Sequence, residues 1–191
     1  MRLLVLGGSF NPVHIGHLVM ADELRDEFGY DLVVLVPSLR PPHKELADEP
    51  GPERRLAMLA LAVEEDRNIA IDDCEIRRGG TSYTIDTLAD LRRRYRIEGK
   101  PGLVVGDDLV PGFPAWKNPQ EIAEAADIIC AHRSSEDELP MPFPHRYAHN
   151  SIIKVSSSMV RRRIAGGMPF RRLLAPGVYR YVVENGIYGL R

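Results

Sequence analysis

Two short apolar runs, Leu3 to Leu6 and Leu32 to Val36, show no polar alternation, which is how strands of a parallel sheet read when both faces are covered. Between them Leu18, Ala21, Leu24 and Phe28 recur at helical spacing, so the first stretch predicts a strand–helix–strand unit. Leu56, Leu59 and Val63 predict a second helix and Ile69 to Ile71 a weak strand. Ile85, Leu88, Leu91 and Tyr95 mark a third helix, with Ser82 or Thr84 as its cap. Leu103 to Val105 and Asp127 to Ala131 read as further strands. Strands alternating with helices predict an α/β fold, a doubly wound and mainly parallel sheet whose ligands lie beyond the carboxyl ends of its strands.

That rhythm stops at Ser134. From there to Asn150 the chain is rich in Pro, Ser and charge and predicts a long loop. Ser157 to Ala165 then predicts a helix ended by Gly166-Gly167, and Gly177 to Glu184 another ended by Gly186. Together they form a small C-terminal helical subregion, about 151–191, expected to pack on the sheet within a single domain spanning 1–191. The Pro-rich segment Pro37 to Pro52 reads as a loop over the strand ends.

Composition narrows the class. The chain has 191 residues, 44% hydrophobic and 27% charged, enough for one substantial core. The first apolar run breaks at Gly7 and no later run approaches a membrane span, so a soluble, cytoplasmic protein is expected. Cys74 and Cys130 stand far apart and suggest buried apolar residues, not a disulfide framework or a zinc knuckle. Net charge is −2, but no acidic residue occurs between Glu138 and Glu184, where Arg146, Lys154, Arg161, Arg162, Arg163, Arg171, Arg172 and Arg180 all fall. Part of that segment is expected to face phosphates.

Two constellations carry chemistry. Gly7-Gly8-Ser9-Phe10-Asn11-Pro12-Val13-His14-Ile15-Gly16-His17 follows the first strand directly. Free backbone N–H groups at a helix start point at one spot, and two imidazoles three residues apart share a helix face, with Gly16 leaving room between them. No third ligand stands at zinc spacing, so no protein metal site is expected. The second constellation, Ser156-Ser157-Ser158-Met159-Val160-Arg161, again opens a predicted helix and offers hydroxyls, N–H groups and a guanidinium. Two phosphate cradles in one small α/β chain suggest a polyphosphate held between them.

His14-Ile15-Gly16-His17 and Ser156 to Arg161 resemble the paired signatures of the nucleotidylyltransferase superfamily. Within it the chain is most similar to bacterial nicotinate-nucleotide adenylyltransferases. That similarity rests on Gly-Gly-Ser-Phe-Asn-Pro from Gly7, Pro-Pro-His-Lys from Pro41, Ser-Tyr-Thr-Ile-Asp-Thr-Leu from Ser82, Gly-Asp-Asp at Gly106, a lone Trp116 and the closing stretch from Gly177 to Leu190. Val155, Ser158 and Val160 replace the usual Ile, Thr and Ile of the second signature, keeping apolar volume and hydroxyl content.

The resemblance implies a Rossmann-like fold and attack of nicotinate mononucleotide phosphate on the α-phosphorus of ATP, giving nicotinate adenine dinucleotide and pyrophosphate in NAD biosynthesis. No protein nucleophile is required, and catalysis is positioning plus charge stabilisation. It implies His14 and His17 as catalytic donors to the triphosphate. Gly8, Ser9, Phe10, Asp107, Arg133, Ser156, Ser157 and Arg161 would bind ATP, with Asp107 accepting ribose hydroxyls. Lys44, together with His43, would meet the mononucleotide phosphate. Trp116 would stack on the pyridine ring, and backbone N–H groups near Thr84 and Lys117 would receive the nicotinate carboxylate. Magnesium (Mg2+) would be held mainly by substrate phosphates and water. Partners are the two small-molecule substrates, with no nucleic acid and no membrane, and a homo-oligomer is open.

Other readings fit less well. A class I aminoacyl-tRNA synthetase shares the His-Ile-Gly-His words, but the chain is short and lacks a Lys-Met-Ser-Lys-Ser element. Sister enzymes acting on nicotinamide mononucleotide or phosphopantetheine stand closest as alternatives, and Trp116 with the Ser82 to Leu88 stretch favours a pyridine nucleotide. A non-catalytic nucleotide-binding regulator would have no need of both histidines and Arg161. A dehydrogenase lacks its Gly-x-Gly-x-x-Gly turn. Nucleic-acid binding would rest on a basic segment poor in stacking aromatics.

Overall fold

The computed structural model describes residues 1–42 and 50–190. Its centre is a sheet of six strands in the order β3-β2-β1-β4-β5-β6, every neighbouring pair parallel. The strands are β1 (Leu3–Gly8), β2 (Leu32–Pro37), β3 (Ile69–Ile71), β4 (Gly102–Gly106), β5 (Asp127–Ala131) and β6 (His145–Tyr147). The chain builds β1 to β3 outward in one direction, then crosses back to lay β4 to β6 on the other side of β1. That reversal between β1 and β4 is the switch point where the loops after two adjacent strands part and leave a crevice.

Helices cover both faces: α1 (Ile15–Phe28), α2 (Pro52–Ala62), α3 (Cys74–Arg78), α4 (Thr84–Arg94), α5 (Pro119–Ala125), α6 (Ser157–Ala165) and α7 (Pro176–Glu184). Strand periodicity divides the core cleanly. Leu4, Leu6, Val33 and Leu35 point to one face, where they meet Leu24 of α1, Met58 of α2, Val160 of α6 and Val178 of α7. Leu3, Val5, Val34 and Val36 point to the other, against Leu88 of α4 and Ile122 of α5. The C-terminal helices therefore share the core of the first face and do not form a core of their own. Helix α1 ends at Gly29, whose left-handed φ of 66° lets its N–H cap the last turn. Cys74 and Cys130 are buried and free.

Several expectations need correction. Neither Ser82 nor Thr84 caps α4: its N-cap is Tyr83 and Thr84 is already helical. The Ser82 hydroxyl is occupied elsewhere, accepting the N–H groups of Leu39 at 2.9 Å and Arg40 at 3.3 Å from the loop after β2. The predicted loop from Ser134 to Asn150 contains β6, a three-residue edge strand, His-Arg-Tyr, with no apolar run to announce it. The sequence pattern also passed over α3, α5 and a 3₁₀ helix at Asp107–Ala115. All are short, and the last contains Pro111 and Pro114. Residues 43–49, which include His43 and Lys44, lie outside the described residues.

Candidate active site

The loop that joins β1 to α1 is held by its carbonyl groups. Gly8 O accepts the Ser38 N–H at 2.9 Å, and Ser9 O accepts Nη1 of Arg55 at 2.8 Å. Asn11 O accepts Nη1 of Arg161 at 2.7 Å, and Pro12 O accepts the Ser157 hydroxyl at 2.9 Å. Arg55 reaches the loop from α2 as a fully buried side chain, while Ser157 and Arg161 reach it from α6. Phe10 occupies the loop's middle with φ 45° and 1% exposure, its ring set edge-on to His17 with centroids 5.0 Å apart. Phe10 thus buttresses the second histidine from within the core.

His14 is the N-cap of α1, and its backbone N–H donates to Nδ1 of His17 at 3.2 Å. Nδ1 of His17 therefore carries no hydrogen, and the proton of the neutral ring sits on Nε2. The two rings stack with centroids 3.7 Å apart. Burial is the first cause that keeps both uncharged. It lowers His14 to about 3, aided by the nearby Arg133 guanidinium, and holds His17 well below the ordinary imidazole value, with His14 and Arg133 adding to the effect. Both ring nitrogens of His14 are enclosed and have no hydrogen-bond partner among the described residues. Buried polar atoms left unpaired are costly, so a neutral pair of this kind is set up to receive an acceptor from a ligand. Gly16 lets the rings sit close to the helix start: a Cβ at that position would lie 3.2 Å from Nδ1 of His14, a tight approach that would press on the ring.

The histidines form one wall of a cavity of about 470 Å³. Arg133 and Ser134 from the loop after β5, and Lys154 and Ser156 ahead of α6, line the same cavity. Ser156 is the N-cap of α6, its Oγ accepting the Met159 N–H at 3.2 Å. Both sequence constellations therefore meet in one cleft, at the carboxyl ends of β1 and β5. Arg133 Nη1 donates to Asp108 Oδ1 at 3.1 Å, and Asp108 also lines the cavity.

Asp107 sits differently from the expected ribose acceptor. It is 1% exposed, and its Oδ2 takes the N–H groups of Ser134 and Ser135 and the Ser134 hydroxyl, each at 3.0 Å. Burial alone would raise its pKa, but these donors together lower it. The carboxylate is thus committed to shaping the turn that carries Arg133. Asp108, Ser134 and Lys154 also line the cleft, with no motif in the sequence to mark them as cleft residues. Lys154 was visible only as part of the acid-free stretch.

The remaining motif residues gather at a second place. Lys117 Nζ pairs with Asp86 Oδ2 at 3.1 Å and lies 4.5 Å from the centre of the Tyr83 ring. This joins the turn holding Trp116 to the start of α4, where Thr84 is the first residue. Trp116 is half-buried and packs on Phe113, with ring centroids 4.8 Å apart. Asn118, directly after Lys117, has a left-handed φ of 53°. Ser82, at the same helix start, ties this group to the loop after β2. Another cavity, of about 530 Å³, lies beside Arg171, Arg172 and Tyr179 near α7 and is lined by none of the residues expected to bind either substrate.

Among the described residues no group of three or more His, Cys, Asp and Glu could hold a metal, and no helix is long and apolar enough to cross a membrane.

Comparison with known proteins agrees with this geometry. The cytidylyltransferase-like family model matches residues 5–163. A Borrelia garinii protein named "Probable nicotinate-nucleotide adenylyltransferase" is 41% identical over 98% of this chain and 95% of its own length. A Treponema pallidum protein of the same name is 33% identical over 98% of this chain and 99% of its own. Among solved structures, the Plasmodium falciparum nicotinic acid mononucleotide adenylyltransferase complexed with NaAD superposes with a TM-score of 0.80, covering 100% of this chain and 98% of that one. Its sequence identity is 15%, so that likeness speaks to the fold alone. With both signatures meeting in one cleft and full-length relatives at this identity, the chain belongs to the cytidylyltransferase-like family and, within it, to the nicotinate-nucleotide adenylyltransferases.

Proposed function

We propose that this chain transfers the adenylyl group of ATP to nicotinate mononucleotide, giving nicotinate adenine dinucleotide and pyrophosphate. The observation that carries the reading is the cleft that two neutral imidazoles, His14 with neither ring nitrogen partnered among the described residues, line together with Arg133, Lys154 and Ser156. A triphosphate spanning that cleft meets hydrogen-bond donors on one side and cations on the other. His17 donates from Nε2, and a neutral donor adds stabilisation as charge builds on the phosphoryl oxygens. Arg133, whose present partner is Asp108, exchanges a carboxylate for a phosphate when ATP enters.

Ser157 and Arg161 act on the phosphates mainly through the loop, by fixing the carbonyls of Pro12 and Asn11. Gly8, Ser9 and Phe10 serve through their backbone. The acceptor nucleotide takes the neighbouring site of Thr84, Trp116 and Lys117, with the indole against its pyridine ring. Nicotinate suits N–H donors there, whereas the amide would turn an NH₂ toward them. The mononucleotide phosphate is the nucleophile and no enzyme ester forms.

Magnesium, when bound, neutralises phosphate charge and the leaving pyrophosphate. The donors on this chain fit a cation carried by the substrate: the cleft offers it Asp108, already paired with Arg133, and imidazoles, which are poor ligands for so hard an ion. We read residues 1–191 as one catalytic unit, because α6 and α7 share the sheet's core. We place it in the cytoplasm, where ATP is supplied.

The test is pyrophosphate release from ATP with nicotinate mononucleotide, nicotinamide mononucleotide and phosphopantetheine offered separately. The first should be the best acceptor. No release with either pyridine nucleotide would overturn the substrate while leaving the superfamily untouched.

A further inference from the structure

Three non-glycine residues among those described have left-handed backbone: Phe10, Asn118 and Tyr188. For a residue with a Cβ this conformation is unfavourable, and it persists where the surroundings demand it. Phe10 lies in the loop between β1 and α1, and Asn118 follows Trp116 and Lys117, so two of the three belong to the site already described. Tyr188 lies far along the sequence, in the last turn of the chain, with φ 64° between Gly186 at 58° and Gly189 at 74°. Glycine would adopt the same backbone at position 188 with less strain. What tyrosine adds is its side chain.

That side chain runs to the same loop as Phe10. The Tyr188 hydroxyl donates to Oδ1 of Asn11 at 2.7 Å, a contact spanning 177 positions. Asn11 is 2% exposed, and its own carbonyl is the one that accepts from Arg161. The turn Ile187–Gly189 packs on α6, the helix that carries Ser157 and Arg161. Two adjacent loop residues, Asn11 and Pro12, are thus gripped by three side chains from the C-terminal region. His14 follows two positions later.

We propose that Tyr188 is a positioning residue for ATP: its phenol fixes the Asn11 side chain, and with it the loop that presents His14 and His17 to the triphosphate. The closing Glu-Asn-Gly-Ile-Tyr-Gly-Leu stretch thereby gains a role at the cleft, as a latch on the phosphate loop. The inference rests on the assignment of the cleft to ATP in the preceding section.

The test is Tyr188→Phe in the full chain, which removes one hydroxyl and keeps the ring. Loss of a hydrogen bond to a buried acceptor should lower kcat/KM for ATP about tenfold. The dissociation constant of a non-hydrolysable ATP analogue should rise by a similar factor. KM for nicotinate mononucleotide should stay within about twofold, and Tm within about 3 °C, the range of a small stability change in a domain of this size. Unchanged kcat/KM for ATP would overturn the proposal, as would equal losses toward both substrates, which mark a general structural role. His17→Ala, run alongside, separates the two levels. If it loses turnover while Tyr188→Phe does not, the latch fails alone; if it keeps turnover, the reading of the cleft fails first.

Discussion

His14 and His17 are kept neutral by position. Each is nearly enclosed, each lies near Arg133, and among the described residues neither has an acidic partner to favour its charged form. A neutral imidazole with a fixed tautomer is a directional donor, whereas an imidazolium would also hold the product phosphates more tightly. The same burial links the site to stability. In the unfolded chain these rings take up protons near pH 6.5, while folded His14 resists protonation until about 3. The unfolded state therefore binds more protons between those values, and stability is lost as pH falls through that window. Denaturant unfolding as a function of pH should show His14→Gln flattening this loss. An unchanged slope in the variant would show that His14 titrates normally in the folded protein.

At the scale of elements, the sites proposed for the substrates sit on loops after the strands, and glycines set how closely those loops approach. Gly106 ends β4, and a Cβ there would lie 2.5 Å from Oδ1 of Asp108 and 2.6 Å from Cδ of Arg133. Its φ of −65° suits any residue, so the constraint is space alone. Gly106→Ala should fold, because both neighbours are partly exposed side chains that can swing away. It should nevertheless displace Arg133 and weaken binding of a non-hydrolysable ATP analogue about tenfold, the scale of one charge-assisted contact. Affinity equal to the parent chain, by calorimetry, would remove Arg133 from the ATP site.

The strands and long helices were legible in the sequence because they have period. Residues 3–6 and 32–36 were continuous apolar runs, and α6 was marked by serines before it and glycines after. What escaped was short or polar: α3, α5 and the three-residue edge strand β6, which pairs in parallel with β5. The two signatures announced the cleft, yet spacing could not reveal which of their residues face it. Ser157 and Arg161 are turned to loop carbonyls, and Asp107 to Ser134 and Ser135, because local hydrogen-bond satisfaction decides orientation within a motif. Asp108, one residue further, reaches the cleft.

On the scale of the whole molecule, one parallel sheet separates two tasks. Loops after β1 and β5, with the start of α6, form the cleft assigned to the triphosphate, and its carbonyl clamp draws on α2, α6 and the final turn. The 3₁₀ helix after β4 and the start of α4, tied together by Lys117 and Asp86, form the site proposed for the acceptor. The central claim is this division of labour. Steady-state pyrophosphate release by His17→Ala and Trp116→Ala, with nicotinate mononucleotide varied, tests it most directly. The account predicts that His17→Ala lowers kcat about 10²-fold, the scale of a lost oxyanion donor, with KM for the mononucleotide little changed. Trp116→Ala should raise that KM about tenfold or more through lost stacking while keeping most of kcat. The same pattern in both variants, or turnover by His17→Ala near that of the parent chain, would contradict it.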